Sequence, residues 1–354
     1  MNVLILLSAT IISYLLTIPT IILAKKLNLV TDAKTRRHPA HTHKGIIPRA
    51  GGLPIYLSIL FTSLIFLPIN KIIFGILIAS FFLIILGLFD DAYDLSPYLR
   101  FVFNILISTL VIAFGLGIPY ISNPFFGGAI RLDFWQIPVN FFGLHYIWVV
   151  ADLLAIIWLT WSTNMINWSK GVDGQLPGFV AITAIFLGLL SQRFTGYDIS
   201  AQSVTILSFI VAGAYLGFLP FNYYPQRIMP GYGGGALAGF LLGILSILSF
   251  GKLGTAVLIL SIPIIDAIYT MIRRLEKKQS PFRADWGHFH HRLMEIGWGK
   301  RRIAWFYWLI SLILGISSLF LKGIQKLIAF MTIALLLLVF MFIIERMKKQ
   351  RRNI

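Results

Sequence analysis

The sequence predicts an all-α integral membrane protein, a polytopic bundle of about eleven transmembrane helices, and three observations carry that prediction. Of 354 residues, 58% are hydrophobic and 12% charged, with a mean hydropathy of +0.84. That is too apolar for one soluble core to hide. Apolar stretches near residues 2 to 24, 51 to 68, 72 to 89, 101 to 118, 145 to 162, 177 to 191, 203 to 220, 236 to 250, 254 to 272, 303 to 321 and 324 to 344 fit the ~20-residue length of a helical span. Basic residues gather in alternate loops: Lys25, Lys26, Lys34, Arg36, Arg37, Lys44 and Arg49, then Arg100, Lys170, Arg227, the run from Arg273 to Arg302, and the tail. The other loops hold only Lys71, Arg131, Arg193, Lys252 and Lys322, with Lys326 just beyond. The positive-inside rule then places the N-terminus outside and the C-terminus in the cytoplasm.

The first stretch has no basic residue before its apolar run and is followed by Lys25 and Lys26, so it reads as a retained helix. No cysteine is present, which excludes disulfides and thiolate chemistry. With no internal repeat and no separate soluble unit, the expected organisation is one polytopic membrane domain, 1–354. The net charge of +17 is accounted for by topology and by attraction to anionic lipid, without nucleic acid.

The unusual polar clusters all fall in the basic loops. The first such loop carries His41, His43 and Lys44 and ends Ile47-Pro48-Arg49-Ala50-Gly51-Gly52-Leu53, where cations followed by glycines at a helix start suit an anionic group, or simply anchor and pack the helix. The third stretch ends in Asp90-Asp91-Ala-Tyr-Asp94. Carboxylates beside a low-dielectric slab are costly unless they bind a cation or handle a proton. A continuing helix would put Asp90 and Asp94 on one face and turn Asp91 about 100° away. Arg100 could pair with the cluster.

The fifth stretch ends in Asn164-Met-Ile-Asn167, followed by Lys170, Asp173 and Gly174, a compact loop able to hydrogen-bond a sugar or nucleotide. After the seventh, Pro230-Gly231-Tyr232-Gly233-Gly234-Gly235 offers backbone amides for phosphate, while Gly231, Gly235, Gly239 and Gly243 also have the spacing of close helix packing. Asp266, after Pro263 and before Arg273 and Arg274, is an ionisable group within an apolar stretch and should face the bundle interior. Asp152 poses the same question and receives no role. The largest basic loop holds Asp285, His288, His290, His291 and Arg292, side chains able to ligate a metal or grip phosphate.

In order and spacing, these motifs resemble the polyprenyl-phosphate sugar-1-phosphate transferases, the MraY, WecA and TagO types of glycosyltransferase family 4. The resemblance spans residues 32 to 293 and rests on Ile47 to Tyr56, Asp90-Asp91-x-x-Asp94, Asn164-x-x-Asn167 with Asp173-Gly174, Pro263-x-x-Asp266 before Arg273-Arg274, and Asp285-x-x-His288-x-His290-His291. It implies transfer of a sugar 1-phosphate, an N-acetylhexosamine 1-phosphate, from a UDP-sugar to polyprenyl phosphate at the cytoplasmic face of the cell membrane. UMP is released, and the lipid diphosphate sugar serves cell-wall or surface-glycan synthesis.

The roles it implies put Asp90, Asp91 and Asp173 in catalysis, and Lys170, where this sequence departs from the family, is placed with them on its charge. Lys44, Arg49, Asp94, Asn164, Asn167, Asp266, His288, His290, His291 and Arg292 bind substrate. The partners are polyprenyl phosphate, UDP-sugar and membrane lipids, with no nucleic acid, and a homodimer is allowed. The resemblance also implies Mg²⁺, with Asp90, Asp91 and Asp173 as candidate ligands, but Lys170 and Tyr232 stand where the family places acids. Two carboxylates and Mg²⁺ sum to zero, whereas Lys170 and a neutral Tyr232 sum to +1, so the lysine could take over the cation's role. A degenerate relative that binds lipid phosphate or nucleotide, and a secondary transporter using Asp152 and Asp266, are the alternatives.

Overall fold

The computed structural model describes residues 1–32, 45–140, 144–196, 199–249, 253–281 and 286–352. Its helices, in chain order, are α1 (Asn2–Lys26), α2 (Gly52–Phe66), α3 (Lys71–Tyr93), α4 (Pro97–Ala113), α5 (Val149–Trp168), α6 (Gln175–Gln192), α7 (Ile199–Asn222) and α8 (Gly231–Leu248). They continue with α9 (Leu253–Ile259), α10 (Ser261–Glu276), α11 (Phe289–Glu295), α12 (Lys300–Phe320) and α13 (Ile324–Arg352). Each of the eleven apolar stretches carries helix. Among the described residues, eight helices are long and apolar enough to cross a membrane, or nine if α9 and α10 form one span bent by 78°.

The difference from eleven has local causes. Helices α2 and α4 are only 15 and 17 residues long. The first stops before Pro68 and the second before Gly115, Gly117 and Pro119, residues that do not continue a helix. At the α9–α10 bend, Pro263 is the third residue of α10 and has no amide to donate back into α9.

Among the described residues, three antiparallel strand pairs interrupt the all-α expectation: β1 (Val30–Asp32) with β2 (Ile46–Pro48), β3 (Tyr120–Ser122) with β4 (Ala129–Arg131), and β5 (Gln136–Asn140) with β6 (Leu144–Trp148). The last pair includes residues that the sequence placed in the fifth apolar stretch, so α5 begins only at Val149. The β1–β2 pair matters for the site. It carries the chain from α1 to Arg49, whose amide donates to Leu29 O at 3.0 Å.

Helix α8 is the hub, with 94% of its apolar window buried, whereas the corresponding figure for α13 is 17%. Its glycines explain how neighbours come so close. A Cβ at Gly239 would run into the Ser162 carbonyl and Thr163 of α5, one at Gly243 into the Ser162 hydroxyl, and one at Gly235 into Asn167. The four-residue glycine spacing is therefore a packing seam, as small-residue spacing is in membrane helices generally. Replacing Gly239 by leucine is expected to cost about 1–3 kcal/mol through overpacking. Thermal unfolding of the detergent-solubilised variant should register it, and an unchanged midpoint would contradict this placement of α5 against α8.

Candidate active site

Helix α3 is started by the Asn70 side chain, which accepts from the Ile73 amide at 2.9 Å, and stopped at Asp94, whose φ of 50° is the left-handed conformation. Aspartate tolerates that region better than most residues. Two residues later, Ser96 accepts from the Leu99 amide at 3.2 Å and Pro97 opens α4. This tight corner sets Asp90, Asp91, Asp94 and Arg100 around one point.

Asp90 and Asp91 both lie within the last turn of α3 and only Asp94 leaves the helix, yet Arg49 joins all three. Its guanidinium lies 3.1 Å from Asp91, 3.7 Å from Asp90 and 3.2 Å from Asp94, and Arg100 reaches Asp90 at 3.1 Å. The Asp90 and Asp91 side chains are 1% and 2% exposed, Arg49 and Arg100 15% and 27%. The carboxylates thus lie underneath and the guanidinium groups above them.

Residues 231–235 form the first turn of α8 and are buried, so their amides are not the open phosphate cradle anticipated from the glycines. The anion at this helix N-terminus is the protein's own: the Tyr232 amide donates to Asp91 Oδ1 at 3.1 Å, where the helix dipole favours negative charge. The Tyr232 hydroxyl is held by the Asn104 carboxamide at 2.9 and 3.1 Å. Lys170, part-buried in the α5–α6 loop, donates from Nζ to Gly231 O at 2.6 Å, with Nζ 5.7 Å from the Tyr232 ring centroid. Burial pushes its ammonium down to about 7, opposed by the charges of Asp91 and Asp90, which hold it up. Beside it Asn167 Oδ1 is buried without a hydrogen-bond partner. Asn164 sits near this cluster, donating to Thr160 O at 2.8 Å and facing Asn104 Nδ2 at 3.4 Å.

A second cluster gathers around Asp266. One oxygen faces His288 Nδ1 at 3.0 Å and the other accepts from the Phe289 amide at 2.7 Å, capping α11. His288 Nε2 lies 3.4 Å from an Arg274 nitrogen, a pairing consistent with a proton on Nδ1. His290 is buried, and that burial, reinforced by His291 and His288, pushes its pKa well below the usual histidine range. The ring, so held toward its neutral form, packs against Gly171. The His291 ring stacks on Trp286 at 4.0 Å. The two clusters meet through the α5–α6 segment, since Trp168 lies 6.2 Å from the His288 ring and Gly171 abuts His290.

Two site candidates have partners that the local sequence did not reveal. Asp173 is buried and pairs with Lys300 at 2.9 Å, and it also accepts from the Gln226 amide at 3.3 Å. Arg292 pairs with Glu345 at 2.9 Å, lies 4.8 Å from the Tyr269 ring centroid and donates to Gly287 O at 3.0 Å. Both are fastened to other parts of the bundle. The one available signal was that Lys300 opens α12 and Glu345 is the acid of the last helix. Asp152 caps the start of α5 by accepting from the Trp148 amide at 3.0 Å. Lys44 and Asp285 lie outside the described residues.

Residues 73–250, which include the Asp90–Asp94 motif, the Asn167–Lys170 segment and the start of α8, match the family model described as glycosyl transferase family 4. The chain belongs to that family. It is similar over 331 residues, at 29% identity, to a Bacillus subtilis protein named "Probable undecaprenyl-phosphate N-acetylglucosaminyl 1-phosphate transferase", covering 91% of this chain and 85% of that one. A Mycobacterium tuberculosis decaprenyl-phosphate N-acetylglucosaminephosphotransferase is 27% identical over 328 residues, 84% of this chain and 76% of its own length. The Escherichia coli K12 undecaprenyl-phosphate alpha-N-acetylglucosaminyl 1-phosphate transferase is 29% identical over 294 residues, 79% and 72% of the two chains. The protein is thus a multi-pass membrane transferase, and the transporter alternative is set aside.

The Mg²⁺ implied by the resemblance can be tested against these side chains. Magnesium demands near-octahedral oxygen ligation. Here Asp90 and Asp91 already face two guanidinium groups, and an ammonium stands beside them. Among the described residues no three His, Asp or Glu side chains converge to hold a metal ion. Asn167 Oδ1 supplies one further oxygen, not a ligand set. The donor set does not fit the ion.

Proposed function

We propose that the protein transfers a sugar 1-phosphate, an N-acetylhexosamine 1-phosphate, from a UDP-sugar to polyprenyl phosphate, releasing UMP and leaving a lipid diphosphate sugar for cell-wall or surface-glycan synthesis. Family membership, with similarity to named N-acetylglucosamine-1-phosphate transferases over most of the chain, is the observation that carries it. The whole chain acts as one domain in this scheme. Its basic loops face the cytoplasm and its N-terminus lies outside, a reading supported by the bias of Lys and Arg among the loops, and the start of α2, the end of α3, the start of α4, the end of α5 and the start of α8 contribute to one site. The membrane is the cell membrane, where the lipid arrives laterally and the nucleotide from the cytosol.

The chemistry balances without a net proton transfer. An oxygen of the lipid phosphate attacks the sugar-bearing phosphorus of the UDP-sugar. A phosphorus–oxygen bond forms there as the bond to the bridging oxygen breaks, and that oxygen leaves on UMP. A phosphate monoester has its second ionisation at about 6, so the nucleophile is largely a dianion at neutral pH. Such a reaction needs positioning and charge stabilisation more than a strong base. Asp90 and Asp91 meet that need by holding Arg49 and Arg100 in place. The exposed edges of both guanidinium groups face incoming phosphate, where that phosphate competes with Asp94, the exposed carboxylate of the set. Asn164 and Asn167 face the nucleotide or sugar. Asp266 orients His288 toward the diphosphate, with Arg274 beside it.

Purified protein in lipid, supplied with polyprenyl phosphate and labelled UDP-N-acetylglucosamine, is expected to yield a lipid-linked sugar and an equal amount of UMP. Nucleotide binding without product across a panel of UDP-sugars would instead indicate a non-catalytic relative.

A further inference from the structure

The acidic motif of this chain already faces protein cations. Three carboxylates, Asp90, Asp91 and Asp94, meet Arg49 and Arg100 in direct ion pairs. Lys170 adds a third basic group, whose charged form Asp91 and Asp90 favour against its burial. Nothing in that balance calls for a further dication. One placed between Asp90 and Asp91 would lie against two guanidinium groups and an ammonium, in a buried site where like charges are weakly screened.

Lys170 is also fixed where a charge is useful. Its Nζ is tethered to Gly231 O at the first turn of α8, over the ring of Tyr232, whose hydroxyl Asn104 holds. A Cβ at Gly231 would strike the Arg49 carbonyl and the Asp91 carboxylate, and one at Gly235 would meet Asn167 and the Lys170 stem. The backbone of α8 therefore presses directly against both the acidic motif and the lysine. An ammonium bonded to one carbonyl retains two further donors.

We propose that this transferase works without a divalent cation, the Lys170 ammonium and the Arg49 and Arg100 guanidinium groups together bearing the negative charge that the diphosphate brings. The carboxylates then hold these cations in position instead of ligating a metal. The transfer itself is as written above, and this inference rests on that reading.

Two measurements decide it separately. Electron paramagnetic resonance of Mn²⁺ titrated into the purified wild-type protein with UMP present is expected to give no stoichiometric protein-bound signal, whereas the double variant Lys170→Asp with Tyr232→Asp should acquire one. Transfer by the wild type should change less than about twofold in EDTA, while Lys170→Ala should lose about 100-fold in kcat and Lys170→Arg should keep most of the rate, as expected for removal or retention of one preorganised charge. Stoichiometric Mn²⁺ on the wild type, or activity abolished by EDTA and restored by Mg²⁺, overturns the proposal whether or not the variants fold. Absence of product over the whole sugar panel, with no Mn²⁺ bound, sinks the transfer reading and the catalytic half of this proposal with it. Bound Mn²⁺ with normal turnover sinks this proposal alone.

Discussion

Arg49→Ala will cost the protein both its fold stability and its activity. The side chain bridges Asp90, Asp91 and Asp94, two of them buried at the α3–α4 corner. Removing one partner of a buried ion pair leaves an uncompensated charge, typically at about 3–5 kcal/mol. Arg100 still covers Asp90, so the residual burden falls on Asp91, helped by the Tyr232 amide and by Lys170. The transfer rate should fall by about 100-fold or more, since a charge preorganised for the phosphate is lost together with the register of the acidic motif. Arg49→Lys separates the two effects. One ammonium cannot span three carboxylates as a planar fork does, so it should recover part of the stability and little of the rate. Thermal unfolding in detergent alongside the lipid-transfer assay would read both. Wild-type behaviour of Arg49→Ala would remove Arg49 from the centre of the site.

Substitutions at Asp266 should divide in a different way. Asp266→Ala deletes the acceptor for the Phe289 amide and the partner of His288 Nδ1 together, leaving buried donors unsatisfied at about 1–3 kcal/mol each. Asp266→Asn keeps an oxygen for the Phe289 amide, so α11 should stay capped. Its amide would present a donor where His288 now donates, which favours the opposite tautomer and turns Nε2–H toward Arg274. The expectation is a large loss of stability and rate for alanine, but for asparagine a nearly native melting point with transfer reduced by about tenfold or more. Equal losses of stability in the two variants would mean that Asp266 acts only through the fold.

The apolar runs alone determined the membrane class, because only helices satisfy their own backbone groups in lipid and ~20 residues are needed to cross it. They also determined the placing of Asp90–Asp94 and Asn164–Asn167 at helix ends and of Asp266 within an apolar stretch, and the glycine period of α8 announced its packing seam. Tertiary structure decided what those residues touch. Arg49 meets a motif 42 residues away, Lys170 a carbonyl 61 away, Lys300 an aspartate 127 away, and Arg292 a glutamate 53 away. Ion pairs between distant segments leave no periodicity in either segment, so neither the pairing of Asp173 and Arg292 nor the burial of His290 could be read locally. The lengths of α2 and α4 likewise reflect the proline and glycine beyond their ends, where a few residues separate a crossing helix from a short one. The opposition between Lys170 and a metal site was already visible in residue identities. Its physical content, an ammonium held against α8 beside two guanidinium-bound carboxylates, came from the packing of α3, α5 and α8 around one corner.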